Sequence, residues 1–381
     1  MFLTDETTGT IGVVSACAHR LYLYRPELLD GLRESGFKVV VFGPEPQRQG
    51  DEMLTPHGFD YVQLPLERRK TNPFNEISAQ KLITETVGDR HVRLLFSYGI
   101  RFAPLVNISA KAAGVPCVNV INGAGSLFIT QGLQGAAKRS VILPYIRSAL
   151  DYSSRIFFQN SDDLELFASL RLGKRERYVQ VDGSGVNTQR FPALPLPKER
   201  VFGYLGRVNP EKGFCELLDA FRFVHDRFPD ARLLIAGELD GIGSETQLLL
   251  DKLTARGAAE YLGEIDDVAS FMERIRYFVF PSYREGTPRV TLEAMSCARP
   301  IITTDAVGCR ETVRDGFNGL LVKPGDVATL ADAMLLFCSD DALTEKMGMN
   351  SRSLAVEKFD VFKTNRVLID TVVEVLKGSS V

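Results

Sequence analysis

Two short stretches of the 381-residue chain carry the residues best suited to chemistry. In the first, 203–213, a glycine-bearing turn after an apolar run places Arg207 and Lys212 five positions apart, ahead of a helical pattern. In the second, 277–298, Glu285 stands in a loop and Glu293 follows eight positions later in a helix. Thr287 as N-cap and Pro288 as first helical residue are expected to open that helix. A strand, a glycine-bearing loop and a helix N-terminus form an anion site, because N–H groups and the helix dipole point at one spot. Two cations beside it can hold a diphosphate and neutralise the charge that grows there as a bond breaks. Carboxylates would repel phosphate, yet they accept strongly from sugar hydroxyls. Each feature alone has a plain reading, as a solvated basic turn or as one exposed and one capping glutamate. Together they suit a nucleotide sugar.

These residues need a scaffold that delivers strand ends to one edge. Apolar runs at 11–15, 38–42, 59–64, 93–97, 116–121 and 154–159 alternate with helical patterns at 26–35, 77–87, 102–113 and 134–152. Strand, helix and strand in that order, with continuous Val runs, indicate a parallel sheet covered on both faces. The beat resumes after 191–197, whose three prolines read as a linker. Strands at 201–205, 232–236, 277–281 and 301–304 follow, with helices at 214–223, 245–256, 265–274, 327–339, 344–359 and 362–376. Two domains are expected, which the length permits.

Net charge is only −3, so nothing global points to nucleic acid. The charge is uneven, however. Residues 68–150 hold 11 Lys and Arg against 3 Asp and Glu, a net of +8. Arg68, Arg69 and Lys70 belong to this window, as do Lys138, Arg139 and Arg147 interleaved with apolar residues. Such clusters are either solvated faces or a surface for an anionic membrane. The six cysteines form no CxxC pair, so buried, reduced thiols are expected. No apolar run approaches the roughly 20 residues needed to cross a bilayer. Asp162-Asp163 follows Ser161, where acids favour a helix start, so capping is expected there rather than metal.

The second half resembles glycosyltransferase family 4, the retaining enzymes with the GT-B fold. The resemblance rests on the 206–213 turn, Pro281-Ser282, Glu285-Gly286-Thr287-Pro288-Arg289, Glu293-Ala294-Met295, Pro300-Ile301, Gly308, Glu311 and Asn318-Gly319-Leu320-Leu321-Val322. It implies an α/β chain of two Rossmann-like, doubly wound domains facing across a cleft. The acceptor domain would span 1–192, the nucleotide-sugar donor domain 198–360, and a helix at 361–381 would return toward the first. The implied reaction moves a sugar from a UDP-sugar to an acceptor hydroxyl with retention, without metal or other cofactor. By motif, Arg207 and Lys212 hold the diphosphate, Glu285 binds donor-sugar hydroxyls and Glu293 the ribose. Gly206 and the 286–290 segment (Gly286, Thr287, Pro288, Arg289, Val290) line the donor, and Glu264 and Ile265 border the base.

The acceptor side is thinner. Gly12, Ser15, His19 and Arg25 fall in the region of the first strand and the loop after it, where small residues either let a ligand approach or make an ordinary turn. Asn122 and Gly123 end another strand, where the family often carries His or Thr. Asn122 there either donates a hydrogen bond or only shapes the loop. The resemblance is to the branch that extends polyprenyl-diphosphate-linked sugars in bacterial surface-glycan assembly, such as lipopolysaccharide, O-antigen or capsule. It implies a lipid-linked acceptor and a cytoplasmic enzyme peripheral on the inner membrane. The alternatives are a soluble acceptor and a silent nucleotide-binding subunit.

Overall fold

The run TIGVVS at Thr10–Ser15 (β1) is buried at every position and is an interior strand of the first sheet. The computed structural model describes residues 9–67, 72–125 and 132–378, without the side chains of His19, Arg20, residues 132–138 and Val141. The Arg68-Arg69-Lys70 cluster and the Lys138 side chain thus lie outside the described residues. After β1 come α1 (Ala18–Tyr24), α2 (Pro26–Glu34), β2 (Lys38–Gly43), α3 (Gln47–Leu54), β3 (Asp60–Gln63), α4 (Pro73–Asp89), β4 (Val92–Tyr98), α5 (Ala103–Ala113), β5 (Cys117–Ile121), α6 (Gly132–Leu150), β6 (Arg155–Phe158), α7 (Ser161–Ser169) and β7 (Tyr178–Gln180). The strands are all parallel, in the order β3-β2-β1-β4-β5-β6-β7. Strands buried on both faces need apolar residues at every position, which explains the unbroken Val runs.

The second unit repeats the plan with β8 (Val201–Leu205), α8 (Phe214–Arg227), β9 (Arg232–Ala236), α9 (Ser244–Ala255), β10 (Ala259–Tyr261), α10 (Val268–Arg274), β11 (Tyr277–Phe280), α11 (Arg289–Ser296), β12 (Ile301–Thr304), β13 (Gly319–Val322), α12 (Val327–Ser339) and α13 (Asp341–Lys358). Its sheet is parallel throughout, ordered β10-β9-β8-β11-β12-β13. Its aromatic core stacks Tyr204 on Phe280 and sets Phe202 tilted against Tyr277. The edge strands β7, β10 and β13, each three or four residues long, have no strand of their own in the sequence pattern.

The division between units falls at 181/182, not at 192. Backbone bonds cause the difference, since Val186 donates to Phe359 at 2.7 Å and accepts from Val361 at 3.1 Å. The proline segment is also strapped to the second unit, where fully buried Arg299 donates to Met272, Leu194 and Pro195 carbonyls at 3.0–3.2 Å. Burial pulls the Arg299 guanidinium down to about 10. Residues 362–381 group with the first unit. There α14 (Val361–Gly378) sends Leu368, Val372 and Leu376 into the core that holds Leu28, Leu29 and Leu32 of α2. Two caps also differ from expectation. Asn160, not Ser161, caps α7 by accepting from Asp163 N at 2.7 Å. The chain is still extended at Pro288 (φ −69°, ψ 111°), so Pro288 takes the N-cap position of α11 and Thr287 lies outside it.

Candidate active site

All strands of the second sheet run the same way, so the loops after β8, β9, β11 and β12 emerge on one edge. The chain order reverses between β8 and β11, which opens a crevice where an α/β sheet binds ligands. Arg207 and Lys212 leave β8 on one side of this point, and Glu285 leaves β11 on the other. Lys212 pairs with Glu285 Oε1, and Ser282 donates to the same oxygen at 2.8 Å. Arg207 pairs with Asp240, from the loop after β9, at 3.1 Å. One turn into α11, Glu293 is buried and accepts from Arg289 Nε at 2.8 Å. Each of the three cations named here thus meets a carboxylate.

The loops are held from beneath. Asn209 accepts from Lys212 N at 3.1 Å and caps the 3-10 turn Pro210–Lys212, while Tyr204 donates to Arg207 O at 2.7 Å. Glu285 N donates to Val307 O at 2.9 Å, and Tyr283 N to Glu211 O at 3.1 Å. Thr304 donates to Ser282 O, and Thr303 to Phe280 O at 2.6 Å. Gly213 (φ 68°) and Gly308 (φ 77°) are required here. A Cβ would lie 2.1 Å from Pro281 O at the first and 2.3 Å from Glu285 O at the second. Tyr204, Ser282, Thr303 and Cys309 beneath the loop are fully buried. Burial, then Glu285, raises the Tyr204 hydroxyl and lifts the Cys309 thiol to about 12. Burial, then the hydrogen bond to Glu216, carries Tyr283 to about 12. In such surroundings the Lys212–Glu285 pair is weakly screened.

The other donor-side candidates fall around this edge. Gly206 (φ 154°) abuts Gly237, whose N–H donates to Gly263 O at 2.7 Å. Glu264 and Ile265 follow directly in the loop to α10, which begins at Val268 rather than at 265. Gly286 and Thr287 are buried, with the Thr287 hydroxyl donating to Gly286 O at 2.9 Å. Pro288, Arg289 and Val290 form the mouth of α11, whose first-turn amides open toward the crevice. Ser282 and Asp240 received no role from sequence. Ser282 belongs to the Pro281-Ser282 motif, whereas Asp240 sits in a Gly-rich loop with nothing to distinguish it.

In the first unit the order reverses between β1 and β4. Gly12 is not in the following loop. It lies inside β1, where a Cβ would strike Leu95 at 2.7 Å, so close strand packing explains the glycine. Arg25 is not a free cation either. It is only 4% exposed, donating to Asn365 at 2.7 Å and Tyr98 OH at 3.1 Å, and it fastens α14. Ser15 ends β1 by accepting from Cys17 N at 3.2 Å. His19 lies on α1, its side chain outside the described residues. Asn122 is exposed beyond β5, leaning over Gly99 beyond β4, and Gly123 follows with φ 128°.

Residues 23–183 match the glycosyl transferase 4-like domain family, and residues 186–354 match the glycosyl transferases group 1 family. The chain is 23% identical over 362 residues to the N,N'-diacetylbacillosaminyl-diphospho-undecaprenol alpha-1,3-N-acetylgalactosaminyltransferase of Campylobacter jejuni, spanning 91% of this chain and 94% of that one. It is 24% identical to the UDP-Gal:alpha-D-GlcNAc-diphosphoundecaprenol alpha-1,3-galactosyltransferase of Escherichia coli, over 75% and 76% of the two chains. Among solved structures, HepE of Anabaena in complex with UDP and glucose superposes with a TM-score of 0.77 at 18% identity, covering 96% of this chain and 100% of HepE. That likeness carries the fold.

Proposed function

The chain belongs to glycosyltransferase family 4, with the GT-B fold, and from that premise we propose that it moves a hexose or N-acetylhexosamine from a UDP-sugar to a hydroxyl of a polyprenyl-diphosphate-linked saccharide, with retention. The observation that carries this reading is the Lys212–Glu285–Ser282 cluster beside Arg207 at the sheet's reversal point. Arg207 and Lys212 take the diphosphate and meet the charge that develops on it as the anomeric bond breaks, with no metal required. When Lys212 turns to phosphate, Glu285 accepts from donor-sugar hydroxyls, and Ser282 keeps its carboxylate aimed. Glu293, set back in α11, accepts from the ribose. No protein nucleophile is invoked, so the acceptor hydroxyl attacks from the leaving-group face.

The lipid-linked acceptor is supported by the two relatives, whose names specify undecaprenyl-diphosphate substrates. It is also supported by the +8 window at 68–150. Within that window α4 exposes Phe74 and Ile77 (79% and 64%), and α6 exposes Ile142 and Tyr145. On α6 the apolar side chains lie between Arg139 and Arg147, with no acid on the helix, which suits an anionic bilayer surface, and we place the protein peripherally on the cytoplasmic face of the inner membrane. No helix among the described residues is long and apolar enough to cross a membrane.

The test is a panel of UDP-sugars offered with a lipid-linked saccharide and, separately, with free sugars, followed by anomeric analysis of the product. Transfer to the lipid-linked acceptor with the α-configuration kept is expected. An inverted product would end the retaining assignment, and preference for free sugars would end the lipid-linked one. In a second assay the protein should sediment with phosphatidylglycerol vesicles at low salt and be released as salt screens the attraction. Changing Arg68, Arg69, Lys138 and Arg139 to Glu should abolish that binding and leave UDP affinity intact.

A further inference from the structure

Three cations at the candidate donor site meet three carboxylates, and two of those carboxylates have hydroxyls to bind in the reading above. Glu285 and Glu293 lie on the loop and helix that face the sugar and ribose. Asp240 lies elsewhere, on the loop after β9, and the reading gives it nothing to recognise. Its position is nevertheless fixed. Val208 N donates to Glu238 O at 2.8 Å and Asp240 N donates to Val208 O at 3.0 Å, so the backbone beside Arg207 and that of Asp240 form one short parallel bridge. Gly237 packs against Gly206 O at the base of the same two loops. The backbones are stitched together, whereas the side chains are not buried: Arg207 is 46% exposed and Asp240 31%. Either side chain can turn away without leaving a charge in the core.

A guanidinium has one fork, and carboxylate and phosphate both fit it. We propose that Asp240 is a stand-in for the donor diphosphate. It holds Arg207 in the donor-free protein, gives way when the diphosphate binds, and takes Arg207 back as UDP leaves. Asp240 is therefore a positioning residue that acts through Arg207 and sets how tightly the nucleotide is held. The inference rests on the assignment of Arg207 to the diphosphate.

Calorimetric titration of UDP into the full chain tests it, with four proteins: wild type, Asp240→Asn, Arg207→Ala and the double variant. Asp240→Asn should bind UDP about two- to fivefold more tightly, the ratio appropriate to releasing a partly exposed ion pair. Its donor KM should fall with it, and Asp240→Glu should restore the wild-type value. Arg207→Ala should bind at least tenfold more weakly. In the Arg207→Ala background, Asp240→Asn should bring little further gain, because the two residues act as a unit. An Asp240→Asn protein of unchanged or weaker UDP affinity, alongside an impaired Arg207→Ala, overturns the stand-in while leaving the donor site in place. An equal gain in both backgrounds means that Asp240 repels phosphate directly, which also overturns it. If Arg207→Ala binds UDP normally, the donor assignment fails first and the inference falls with it. Asp240→Ala serves where the Asn variant does not fold.

Discussion

The two units use the same parallel architecture, yet they treat the loops at the reversal point of the sheet in opposite ways. In the second unit the loops after β8, β9, β11 and β12 are bonded to one another, wedged by glycines and closed over buried side chains. In the first, the corresponding candidates are absorbed by packing. Gly12 makes room between strands, and Arg25 fastens the final helix. Among the described candidate side chains, Asn122 is exposed beyond β5. The difference teaches that polar residues near a strand end are not equivalent. Those joined by loop-to-loop bonds gather into a candidate site, while those bonded to a packed helix build the domain.

Substitutions can break or sharpen this contrast. The largest effect is expected for Lys212→Ala, which removes a charge from a largely buried pair and strands Glu285 beside Ser282. kcat/KM should fall about 10²- to 10³-fold. A variant that stays folded and within threefold of wild type would refute the cluster's role. Next comes Gly308→Ala, which pushes a Cβ into Glu285 O at a left-handed φ of 77°. Stability should drop by about 1–3 kcal/mol, with activity falling further because the loop carrying Glu285 must shift. Equal thermal melting and activity would show that the glycine wedge is dispensable.

Arg25→Met probes the other unit and should separate the two regions cleanly. It removes charged hydrogen bonds to Asn365 and Tyr98, costing about 1.5–3 kcal/mol of stability in melting experiments. UDP affinity should not change, and a loss of UDP binding would restore Arg25 to the list of ligand contacts. The smallest effect is expected from the carboxylate swaps. Glu293→Gln keeps its shape and should mainly raise donor KM, by several-fold, whereas Glu285→Gln should lower kcat as well. The same KM-only change in both would erase the division between sugar and ribose.

The chain's own order of residues determined a great deal here. Unbroken Val-rich strands between helical patterns specify a parallel sheet, because strands covered on both faces must be apolar throughout. The loop-to-helix stretch around Glu285 and Glu293 could be read as a donor site, since its parts lie within one local strand–loop–helix. Tertiary structure alone decided the pairings between loops far apart in sequence: Lys212 with Glu285, 73 positions on, and Arg207 with Asp240, 33 positions on. Periodicity does not encode which loops share an edge, because that depends on strand order. The same reason hid the fate of Gly12 and Arg25. A glycine in a strand and an arginine before a proline look like loop chemistry until the neighbouring strand and the final helix are in place. The boundary at 181/182 was equally non-local, being drawn by bonds from Val186 to the backbone of 359–361. A proline-rich stretch marks where a chain can bend, whereas the packed partner decides to which unit it belongs.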